Sequence, residues 1–208
     1  MINIFKKRTK KTSTVLLLKR NKYFLLLLVL LMSTFIFTHG TADAYSLKPY
    51  KQYKTTTINS PITYKMGPNL SREDSSDEFL ITAWSNAMYD WNHAQDHFTY
   101  DYSSNSDNTL DYVNIASSTL YGNIQVNYNS STGIINYFKA NINKGNSKIH
   151  YQNRARSAAS HELGHSLGLA HSSNSSAIMY KHRNRSSIYK PQTDDLNGIT
   201  EIYGIIAR

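Results

Sequence analysis

The chain has 208 residues, with 23 Lys and Arg against 14 Asp and Glu, a formal net charge of +9 and no cysteine. Lack of cysteine excludes a disulfide scaffold, a thiol nucleophile and a thiolate metal site. The basic balance would suit a nucleic-acid partner. However, eight of the 23 basic residues and one of the 14 acidic ones precede residue 45, which leaves the remainder near +2 and argues against nucleic acid.

Residues 1–44 read as a signal peptide. Lys6, Lys7, Arg8, Lys10, Lys11, Lys19, Arg20 and Lys22 form a positive leader, residues 24–32 are unbroken apolar, and Ala42-Asp43-Ala44 offers a small-x-small cleavage pattern. Cleavage after Ala44 is expected, giving a secreted, extracellular or wall-associated protein that starts at Tyr45. The competing reading is an uncleaved membrane anchor, although an apolar segment of about 15 residues is short beside the roughly 20 that span a bilayer. Residues 45–208 suffice for one domain with its own core, expected as a monomer. Any prosegment is confined to a short piece around residues 45–55.

Alternation predicts a first strand over 62–66, closed by Gly67-Pro68-Asn69. Over 75–92, Phe79, Leu80, Ala83, Trp84, Ala87, Met88 and Trp91 recur at the spacing of a buried helical stripe. His93 and His97 at its end, with Asp96 between them, could bind a second metal or complement the helix dipole. Short strands are expected at 98–102 and 112–116. The loop between them supplies Asp101, Asp107 and Asp111 with Asn and Ser oxygens, which suits either Ca²⁺ or a solvated turn. Residues 134–143 alternate as two strands or one long edge strand that could pair with an extended peptide. A helix follows over 155–169. Strand, helix, strands, helix, loop, helix is an α+β order, a mixed twisted sheet under helices.

The second long helix contains HELGHSLGLAH, residues 161–171. His161 and His165 are four apart, about 40° from each other on a helix, so both imidazoles face one way. His171 on an unbroken helix would lie about 15 Å beyond His161, too far to share an ion. Gly168 answers this, because glycine can adopt the left-handed conformation that ends a helix and turns the chain back. Three neutral imidazoles can hold Zn²⁺ with one position open, and Glu162 beside them is placed to take a proton from bound water.

HELGHSLGLAHSS followed by AIMY resembles the matrixin branch of the metzincin metallopeptidases, and TDDLNGITEIYG at 193–204 resembles the matrixin C-terminal helix. The resemblance implies a zincin-like catalytic domain with an active-site helix, a methionine turn and a C-terminal helix. Met179 would lie under the metal site. Asp194 and Asp195 would brace that turn and the mature N-terminus, and Tyr180 would stand in the wall of the specificity pocket. Lys181 departs from the proline frequent next in matrixins, so a different outer wall is expected. The chain also lacks the cysteine that blocks zinc in latent vertebrate matrixins. The expected function is a secreted zinc endopeptidase acting on protein or peptide, in which zinc-bound water is activated by Glu162. The alternative is a catalytically weak or inactive, zinc-stabilised binding protein associated with the cell wall.

Overall fold

Period-two and period-3.6 patterns account for most elements of the computed structural model, which describes residues 45–53, 60–71, 74–75 and 77–204. In chain order these are β1 (Ser60–Met66), α1 (Glu78–Ala94), β2 (Phe98–Tyr102), β3 (Thr109–Val113), β4 (Gly122–Tyr128), β5 (Ile135–Asn143), a 3₁₀ turn at Ser147–His150, α2 (Gln152–Ser166) and α3 (Thr193–Tyr203). The expected signal peptide and its cleavage site lie outside the described residues. No helix among the described residues is long and apolar enough to cross a membrane.

The sheet order is β2-β1-β3-β5-β4, parallel throughout except for β4, which runs antiparallel to β5. This corrects the edge-strand reading of 134–143. The stretch 135–143 is an interior strand between β3 and β4, with Phe138, Ala140 and Ile142 fully buried. The edge on that side is β4, whose alternation of Ile124, Val126 and Tyr128 with Gln125 and Asn127 is a strand signal that the sequence reading passed over. Ile124 and Val126 are half-buried against the core while Gln125 and Asn127 are exposed.

Both long helices pack on the sheet and on each other within one compact unit. The stripe of α1 buries Leu80, Ala83, Trp84, Ala87 and Trp91 completely. The two indoles still need acceptors. Trp84 Nε1 donates to the carbonyl of Asp111 at 3.2 Å, and Trp91 Nε1 donates to that of Ser160 in α2 at 2.9 Å. Ala155, Ala158 and Ala159 give α2 the small face that lets α1 approach, and Arg156 clamps the pair through a two-pronged contact with Asp90.

Residues 45–53 are a strap across the end of α2. Lys48 N donates to Gly168 O at 2.8 Å, Ala170 N to Ser46 O at 2.7 Å, and Ile135 N to Lys51 O at 2.9 Å. This strap brings Lys48 and Tyr50 to the mouth of the site.

Candidate metal centre

His161 and His165 leave α2 one turn apart, and the helix stops at Ser166. Gly168 then adopts φ = 93°, the left-handed turn expected of it. The chain doubles back and brings His171 to the other two, so that a nitrogen from each lies within 4.8 Å of the others. Among the described residues this is the one set of three or more His, Asp or Glu side chains that converges. His93 instead stacks on Tyr89, and His97 packs against Phe98 and Tyr203. Asp101, Asp107 and Asp111 do not gather either. Asp111 accepts from the backbone N–H of Tyr112 and the amide of Asn69, and Asp101 accepts from Thr99.

The donor set suits zinc. His161 Nδ1 lies 2.8 Å from the carbonyl of Ile178, and His165 Nδ1 lies 2.7 Å from that of Leu169. A carbonyl can only accept, so each Nδ1 bears the proton and each Nε2 keeps a lone pair for a metal. Arg183 Nη1 also approaches His161 Nδ1, at 3.1 Å. Because a guanidinium only donates, that approach competes with the shorter carbonyl bond, and it acts as a positive charge against ring protonation. Burial, then Arg183, hold the His161 pKa well below the ordinary value. Burial takes His165 down to about 4 and lowers His171 as well. All three rings are therefore neutral at pH 7, the state a metal requires.

Glu162 lines the same cavity of about 300 Å³, with Lys48, Tyr50, Tyr121, Gly122 and Arg185 around it. Its carboxyl group makes no hydrogen bond to the described residues. Burial pushes its pKa up to about 8, against the pull of Arg183, Arg185 and Lys48.

Beneath the histidines runs the turn containing Met179, which is 2 % exposed. Asp195 accepts from the backbone N–H groups of Ile178 (2.8 Å), Met179 (3.0 Å) and Gln192 (2.8 Å), tying the turn to the start of α3. Asp194 accepts from the Ser172 hydroxyl at 2.7 Å, which anchors the residue after the third histidine. The thioether of Met179 lies directly under Gly164, where any Cβ would collide with it. Tyr180 lines neither this cavity nor its neighbour. Its ring faces His182 and its carbonyl accepts from Arg183 Nη1 at 3.1 Å.

Sequence reasoning did not find Lys48, Tyr50, Tyr121, Arg183 or Arg185. The basic string Lys181-His182-Arg183-Asn184-Arg185 after the methionine was the available signal, and it passes for a solvated surface run until its burial is known.

Comparison with known proteins agrees with this geometry. Human neutrophil collagenase is 54 % identical over 50 residues, covering 23 % of this chain and 10 % of that protein. Human matrilysin is 47 % identical over 49 residues, covering 23 % of this chain and 18 % of its own length. The chain thus spans under a fifth of the length of either relative. The matrixin family profile reaches much further, matching residues 55–204. The chain belongs to the matrixin family, a family of zinc metalloendopeptidases.

Proposed function

We infer that this protein is a secreted zinc endopeptidase whose reaction centre is His161, His165, His171 and Glu162. One observation carries the reading: three neutral imidazoles converge beside a carboxyl group that has no hydrogen-bond partner among the described residues and opens into the same cavity. A zinc ion bound there would supply Lewis acidity, acidifying water and polarising a carbonyl. A cation bound beside Glu162 would favour its ionised form despite burial, and the carboxylate would then take the proton of the attacking water and return it to the leaving amine. The histidines are oriented by Ile178 O and Leu169 O, and Met179 with Asp195 keeps the supporting turn rigid. The free edge of β4, with Gly122, Asn123 and Ile124 in the cavity wall, receives an extended peptide by main-chain pairing.

The purified chain should hydrolyse casein with zinc present and stop when a chelator removes it. Glu162→Ala should keep one equivalent of zinc but lose about 10²–10⁴ in rate, the usual contribution of a general base. A variant that retains most of its activity would overturn the assignment of Glu162. Binding of casein without cleavage by the zinc-loaded wild type would favour a non-enzymatic binding protein. Export is proposed to end in cleavage after Ala44, so N-terminal sequencing of secreted material should read Tyr45 first.

A further inference from the structure

Beside the catalytic cavity lies a second one of about 250 Å³, and Tyr121 and Arg185 stand in the walls of both. The other lining residues are Lys148, Arg154, Arg183 and Asn184. Four cations therefore line this space, and none of its lining residues is acidic.

Among the described residues none of these cations forms a close ion pair, and Glu162 and Asp195 act on Arg183, and Glu162 on Arg185, only at longer range. Arg183 is 3 % exposed, yet its hydrogen bonds go to neutral oxygens: Ser157 Oγ at 2.9 Å, Ser157 O at 2.6 Å and Tyr180 O at 3.1 Å. Arg185 lays its guanidinium over the Tyr121 ring, 3.8 Å from the centroid, and gives one amine to Lys181 O. Its Nε is buried with no acceptor at all. Arg154 bonds the Ser186 hydroxyl. Two half-buried cations elsewhere do pair with acids, Arg156 with Asp90 and Lys144 with Asp77. Among the described residues no carboxylate does this for Arg183 or Arg185. Buried charge and an orphaned donor are costly unless a ligand of opposite charge completes them, and a guanidinium stacked on an aromatic ring is held ready to grip a carboxylate.

We propose that this second cavity is a substrate subsite for a carboxylate, so that the enzyme selects peptides with an acidic side chain close to the scissile bond, with Arg185 as the chief specificity residue. The proposal rests on the peptidase reading for its consequence in cleavage, but binding tests it independently.

Two experiments separate the possibilities. The first measures binding of amidated peptides to zinc-loaded Glu162→Ala protein, the peptides differing only in Glu, Gln or Leu at each position in turn. At one position Glu should bind at least tenfold tighter than Gln, and the gap should shrink as salt rises. Arg185→Glu should reverse that preference towards Lys, and the exposed Lys148→Glu should weaken it without disturbing the core. Equal binding of Glu and Gln at every position overturns the proposal. The second measures kcat/KM of the wild type on the same set. Cleavage without an acidic preference sinks the subsite alone, whereas absence of any cleavage alongside a Glu preference in binding sinks the peptidase reading alone. A peptide with its free C-terminal carboxylate at the preferred position distinguishes a side-chain from a terminal carboxylate. The proposal expects the internal Glu to win, and preference for the terminal group overturns it.

Discussion

At the scale of single residues, support for the histidines is concentrated in two residues that do not line the cavity. Asp195 satisfies three backbone N–H groups at once, two in the methionine turn and one at the cap of α3. Burial raises its pKa, while those three N–H donors work the other way. Asp195→Ala would leave the donors unsatisfied, and should cost about 3 kcal/mol in urea unfolding, in the range for buried hydrogen bonds to a charged group. A loss under 1 kcal/mol would show that the turn holds itself. Gly164 is the other. A methyl group there must displace the Met179 thioether, which is itself buried, and would crowd the Trp91 ring at 3.2 Å. Gly164→Ala should therefore destabilise by about 1–3 kcal/mol, as overpacking does. Combined with Met179→Ala it should cost clearly less than the two single changes added, because the collision disappears. Strict additivity in the cycle would remove that contact from the account.

Among the elements, the end of α2 decides whether a metal site exists. A helix continued through residue 168 would point His171 away, and the left-handed φ of Gly168 prevents this. A Cβ at that position would also meet the carbonyl oxygen of Tyr50 at 2.7 Å. Gly168→Ala should lower stability by about 1–2 kcal/mol from backbone strain alone. It should weaken zinc affinity as well, since His171 depends on the turn. Competition with a chromogenic chelator would measure this, and unchanged affinity would mean that the turn survives without glycine.

For the whole molecule, the titrating groups of the site predict an inverted U of stability against pH in metal-free protein. The three histidines have depressed folded-state values, with His165 at about 4. Their contribution is complete above the unfolded value of about 6.5 and is lost as pH falls. Glu162 has a raised folded value of about 8, so its contribution is lost as pH rises from the carboxylate range through 8. Below about 6.5 three histidines outweigh one carboxyl group, and above it the carboxyl group acts alone. The thermal midpoint of metal-free protein should thus peak near pH 6.5. Glu162→Gln should flatten the descent between 6.5 and 8, and a wild-type midpoint still climbing at pH 8 would contradict the assignment.

Much of this was legible in the residues. The Trp84 and Trp91 stripe of α1, the one-sided pair His161 and His165, and the need for a turn at Gly168 follow from helix geometry over a few residues. Such patterns record local dihedrals and which face of an element is buried. They carry no record of which distant elements meet. Pairing of β4 outside β5, the strap that delivers Lys48 and Tyr50, and the seat of Met179 under Gly164 are contacts between segments far apart in the chain. The same is true of Arg183 and Arg185. On paper they are two charges in a polar loop, and only packing against Ser157 and Tyr121 makes them a buried and a half-buried guanidinium without a close ion pair among the described residues. The metal chemistry was therefore set by local spacing, because imidazoles four apart share a helix face wherever that helix lies. The shape and charge of the cleft were set by tertiary structure, because burial is a property of neighbours that the sequence does not name.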